Sequence, residues 1–167
     1  MVDLTKNGFV SPAVGPVTIG RMIEEIAKFV HEDPGSFYRL VIGSDSQTKV
    51  VDGKKQIDFV TAIVIHRQGK GARYFWNKDK VARVPLLREK IYTETERSLA
   101  LAHDLVPELR KAITPAKYDL EIHIDVGPLG QTREMIKEVV GMVNGSGYTA
   151  KTKPESWGAS SVADKHT

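Results

Sequence analysis

Three short segments of this chain carry aspartates where a carboxylate is hard to place: GSDSQT at Gly43 to Thr48, EIHIDVG at Glu121 to Gly127 and VADKHT at Val162 to Thr167. Asp45 follows the apolar run Leu40-Val41-Ile42, Asp125 ends a second apolar strand pattern, and Asp164 sits on an expected last helix. A fourth acid, Glu94, falls on the apolar stripe of a helix between them. Carboxylates in such places are costly unless a cation offsets them. A divalent metal held at the end of a β-sheet would do so, and hard oxygen ligands select Mg²⁺ or Mn²⁺ over zinc. Metal ions so held activate water and stabilise a leaving oxygen, which points toward phosphodiester hydrolysis.

Each acid has a plainer reading. Asp45 could cap a turn, but its strand pattern continues to Asp52, which leaves no turn at Asp45 to cap. Asp125 shares a strand face with Glu121 and His123 by alternation. That face would be unremarkable on a solvated edge strand and hard to bury in a central one. Glu94 lies three residues after Ile91 and four before Ser98, which sets it inward, whereas Glu96 falls with Tyr92, Ala100 and His103 and is the fallback ligand. Asp164 follows Trp157 by two helical turns, and an Asp near a terminus is often simply solvated. His123 is read first as a hydrogen-bonded core histidine.

The composition bounds these readings. A chain of 167 residues with 41% hydrophobic content makes one ordinary globular domain and is too short for a two-lobed ATPase. No apolar run approaches the roughly 20 residues that span a bilayer, so the expected location is cytoplasmic. Cysteine is absent, which removes disulfides, thiolate nucleophiles and sulfur metal ligands. A net charge of +3 permits an anionic partner without demanding one. Lys49, Lys54, Lys55, Arg67, Lys70 and Arg73 lie along the expected hairpins, where they could follow a phosphate backbone or be plain solvated charges.

The elements that must position the acids follow from periodicity. Residues 1–17, rich in Gly and Pro, read as a loose arm before a domain spanning 18–167. Thr18 precedes a helical stripe of Ile19, Met22, Ile23, Ile26, Phe29 and Val30 that ends at Asp33-Pro34-Gly35. A strand from Arg39 to a hairpin at Asp52-Gly53, a second over 56–66 and a third around Tyr74-Phe75-Trp76 make an antiparallel meander. A long helix from Pro85 to Lys111, a fourth strand over 119–126, a helix from Gln131 to Val143 and a strand over 147–152 come next. A last helix begins at a capping box, Thr152-Lys153-Pro154-Glu155. If the fourth strand lies beside the first, Asp45 and Asp125 become neighbours.

This order of elements and of acids resembles the ribonuclease H-like superfamily, and GSDSQT, EIHIDVG and KPESWGASSVADKHT resemble its small prokaryotic YkuK-type family over nearly the whole chain. The resemblance implies an α/β fold with a mixed five-stranded sheet, helices on both faces and an extra N-terminal helix. It also implies that Asp45, Glu94, Asp125 and Asp164 are catalytic metal ligands for two Mg²⁺ or Mn²⁺ ions bridged by Asp45. Glu94 lies further along its helix than the superfamily's usual glutamate. The activity so implied is a metal-dependent nuclease acting on RNA, an RNA/DNA hybrid or structured DNA. The rival is a ribonuclease H-like module that binds nucleic acid or protein without cleaving. A comparison of Asp125-Val126-Gly127 with the phosphate loops of actin-like ATPases rests on three residues and lacks the second lobe such enzymes need.

Overall fold

The computed structural model describes residues 8–83, 85–127 and 133–153. In chain order the elements are β1 (Phe9–Ser11), β2 (Gly15–Val17), α1 (Ile19–His31), β3 (Phe37–Val51), β4 (Lys54–Arg67), β5 (Ala72–Val81), α2 (Leu87–Ile113), β6 (Lys117–His123), α3 (Ile136–Gly145) and β7 (Thr149–Lys151). A single 3₁₀ turn, Arg133–Met135, leads into α3. No described helix is long and apolar enough to cross a membrane.

The meander is built by sequence alternation and one tight turn. β3 and β4 pair over their whole lengths, from Tyr38 against Arg67 to Val51 against Lys54. Asp52 (φ 52°) and Gly53 (φ 76°) close the hairpin, both in the left-handed region that a two-residue turn of the right twist requires. β5 continues the antiparallel order beside β4, and β6 then joins β3 in parallel, from Phe37 against Lys117 to Gly43 against His123. β7 adds a last parallel strand, giving the order β2-β1-β5-β4-β3-β6-β7.

The sheet is therefore mixed and seven-stranded rather than five-stranded. The extra pair comes from the segment read as an arm: β1 pairs with β2 and sets Val10 against Trp76 on the edge of β5. Its Gly and Pro content hid the strands, yet β2 is outermost, an edge position at which Pro16, set against Val10 on one side only, is tolerated. Asn77 fastens the hairpin further by donating its side-chain amide to the Gly8 carbonyl.

The main core lies on one face. Met22, Ile26, Phe29 and Val30 of α1, Leu101, Leu105 and Leu109 of α2, and Val139 and Val143 of α3 pack with Leu40, Ile42, Ile63, Phe75 and Ile122 of the sheet. Thr18 caps α1, its hydroxyl accepting from Arg21 N at 3.1 Å. All three described helices thus share a face, where helices on both faces were expected. The expected last helix lies outside the described residues. On the opposite face Val41, Ala62 and Val64 are buried with Tyr74 and Trp76 against them, which is why β4 is apolar on both sides.

Candidate functional site

The inward turn of α2 is fastened to the sheet by hydroxyls. Ser44 Oγ lies 3.0 Å from both Thr61 Oγ1 on β4 and Ser98 Oγ on α2. Arg97 supplies a second fastening: its Nη2 meets Asp79 of β5 at 2.7 Å, and its guanidinium lies 4.8 Å over the Phe59 ring. One turn before Ser98, these contacts drive Glu94 into the protein, where it is only 5% exposed.

Glu94 is held there with little hydrogen bonding. Ser46 Oγ donates to its Oε1 across 3.4 Å, and its buried Oε2 has no hydrogen-bond partner among the described residues. Burial pushes its pKa up to about 8, the negative charges of Asp45 and Asp125 add to the rise, and Lys90 and Ser46 oppose it. Without a cation the carboxyl is protonated at neutral pH. Glu96 is exposed and turns into a separate surface hollow of ≈ 440 Å³ with His103, Asp104 and Tyr148.

β6 ends at His123, so Asp125 stands just past the strand rather than on it. The chain stays beside β7's extension: Ile124 N donates to Lys151 O at 2.9 Å and Lys153 N to Val126 O at 2.8 Å. The register explains what gathers there. Gly43 faces His123, and His123 faces Lys151. Asp45, Asp125 and Lys153 each lie two residues past that rung, in one row across β3, β6 and β7. Lys153 Nζ sits 2.7 Å from Asp125 Oδ1. That hydrogen bond, with the charge of Asp125, holds the ammonium pKa above its ordinary value, and Asp45 and Glu94 reinforce it.

Asp45 is half-buried. Alternation along β3 puts it on the face opposite Ser44 and Ser46, in register with Val60. It is nonetheless close enough to raise the pKa values of both Glu94 and Lys153. Three of the four expected acids thus meet at one end of the sheet. Asp164 lies outside the described residues, as does His166. His123 is buried, pairs with Glu121 at 3.1 Å, and has its pKa lowered chiefly by burial.

Glu94, Asp125, Ser44 and Ser98 line a cleft of ≈ 10 Å³, about the space of one water-sized sphere. Among the described residues no three His, Asp or Glu side chains close into a ready-made metal cluster. The donor set still suits a hard cation: carboxylates from three separate segments, one with a buried oxygen that has no hydrogen-bond partner among the described residues. Asp45, Glu94 and Asp125 are the residues that would hold it.

Lys153 had no periodic signature in the sequence and was read only as part of a capping box. Its signal was the register, which counts it level with Asp125. The basic residues also separate. Arg67 lies 4.0 Å over Phe29 and Lys70 meets Asp33 at 3.1 Å, both at the end of the sheet away from Asp45. Lys49, at the Asp45 end, is engaged with Asp58 at 2.9 Å. Seven residues of strand, about 23 Å, part the rung of Arg67 from that of Asp45.

A three-stranded antiparallel meander, a long helix carrying an inward glutamate and a parallel strand set beside the first are the frame in which these acids meet. The sequence model of the Ribonuclease H-like family matches residues 21–167. The chain belongs to the Ribonuclease H-like family. Uncharacterized protein YkuK of Bacillus subtilis (strain 168) is 37% identical over 161 residues, covering 90% of this chain and 91% of that protein. No solved structure matches. The Ribonuclease H-like match begins inside α1, so the β1–β2 hairpin lies outside the matched residues.

Proposed function

We propose that this protein is a divalent-metal-dependent nuclease that hydrolyses phosphodiester bonds in RNA, an RNA/DNA hybrid or structured DNA. The observation that supports it best is the gathering of Asp45 and Asp125 two residues past a shared rung, close enough to the buried Glu94 for both charges to raise its pKa. Asp45, Glu94 and Asp125 would hold Mg²⁺ or Mn²⁺, with Asp164 as a further expected ligand. When bound, the metal supplies water activation and charge neutralisation at the scissile phosphate. The chain's own part is to fix the acids on rigid elements: β3 carries Asp45, the Ser44–Ser98 contact sets the phase of Glu94, and the β6–β7 pairing sets Asp125.

A second reading, a family member that binds nucleic acid or protein without cleaving, is favoured by the Lys153–Asp125 ion pair, which already neutralises one acid. Labelled single-stranded, duplex, hybrid and branched substrates incubated with Mg²⁺ or Mn²⁺ separate the two. Cleavage by the wild type and its loss in a folded Asp45→Asn protein is the expected result. Full activity in that variant would overturn the assignment, and binding without cleavage of any substrate would establish the second reading.

A further inference from the structure

The position of Lys153 is built rather than incidental. Its backbone N–H is fixed to the Val126 carbonyl, and Gly127 makes room for it: a Cβ added there would lie 3.1 Å from Lys153 Cβ. The missing side chain at Gly127 thus allows the close approach of the lysine. The side chain then spans to Asp125 Oδ1 at 2.7 Å, beside a cleft that Glu94, whose Oε2 has no hydrogen-bond partner among the described residues, helps to line.

We propose that Lys153 is a tethered counter-cation that competes with a divalent metal for Asp125, so that the lysine sets the site's metal affinity. This inference rests on the metal-site reading above. A divalent ion taking Asp125 would repel the ammonium that sits 2.7 Å from Oδ1, so metal entry favours withdrawal of Lys153 Nζ. Its side chain is 56% exposed, and withdrawal into water carries little desolvation penalty. With no metal the lysine neutralises Asp125, which stands level with Asp45 in the row.

Calorimetric titration of Mn²⁺ into the wild type, Lys153→Met, Lys153→Arg and Asp125→Asn proteins tests this. Removing the competitor should tighten Mn²⁺ binding about fivefold in Lys153→Met, as expected for a partly exposed ion pair. Lys153→Arg should stay near the wild type, and the Lys153→Met gain should shrink at high ionic strength. Metal-free Lys153→Met should also melt below the wild type, with the gap closing when Mn²⁺ is added. Equal affinity in wild type and Lys153→Met would overturn the inference while leaving the metal site standing, and weaker binding in Lys153→Met would make the lysine a helper and also overturn it. Absence of Mn²⁺ binding in wild type and Lys153→Met alike would remove the metal-site reading and this inference with it.

Discussion

Asp45 and Asp125 stand level with each other, each two residues past the Gly43–His123 rung on which β3 and β6 last pair. Parallel strands in that register bring the two carboxylates to one end of the sheet from positions far apart in the chain. If both hold one cation, they act as a unit. Asp45→Asn and Asp125→Asn should each weaken Mn²⁺ binding by at least about tenfold. The double variant should fall well short of the product of the two losses, which a double-mutant cycle in calorimetry would read directly.

Glu94 gives the metal-free protein a pH dependence of defined sign. In the unfolded chain the carboxyl loses its proton near its ordinary value of 4.5, whereas in the fold it keeps the proton up to about 8. Over that window the folded state binds more protons than the unfolded one, so stability falls as pH rises and levels off above it. Glu94→Gln, which keeps the neutral shape, should therefore melt above the wild type at alkaline pH. The advantage should fade toward the acid end of the window, as thermal melts across pH would show.

Arg97 is nearly buried, ion-paired to Asp79 and stacked on Phe59. Arg97→Ala removes both contacts and leaves Asp79 without this partner, at a cost of about 2–3 kcal/mol. Arg97→Lys should recover little of that, because an ammonium cannot reproduce the planar stack and fork. Urea denaturation would measure both.

Tyr38 anchors the opposite end of the sheet. Its buried hydroxyl lies 3.0 Å from the Val30 carbonyl and 2.7 Å from that of Asp33, and it accepts from Arg67 Nε at 3.1 Å. Tyr38→Phe should cost about 1–2 kcal/mol in denaturant melts. It should leave Mn²⁺ affinity unchanged, because Asp45 lies seven residues, about 23 Å, further along β3.

Much of this arrangement was legible in the sequence. The period of α2 separated Glu94 from Glu96, since one turn either way reaches Ile91 and Ser98, and both are buried as Glu94 is. The Asp52-Gly53 turn and the alternation through β4 gave the meander. What escaped were features set by pairing rather than pattern. β1 and β2 are three residues each, too short for a period to show, and owe their shape to the edge of β5. The end of β6 at His123 follows from where β7 takes over the chain's hydrogen bonds at Ile124. Lys153 was invisible for the same reason, because nothing in its neighbours reveals which carboxylate it will face until three strands are in register.

The row of Asp45, Asp125 and Lys153 hangs at one side on a strand of three residues. β7 is an edge strand with three rungs, while β3 is paired for fifteen residues in the interior. Breathing of the native state should begin at such an edge, so the amide of Lys153 should exchange with deuterium far sooner than those of Ile42 or Gly43. One side of the acid row is thus founded on a slowly exchanging beam and the other on a plank that lifts, and the arrival of a highly charged ligand there would be felt as hardening of β7.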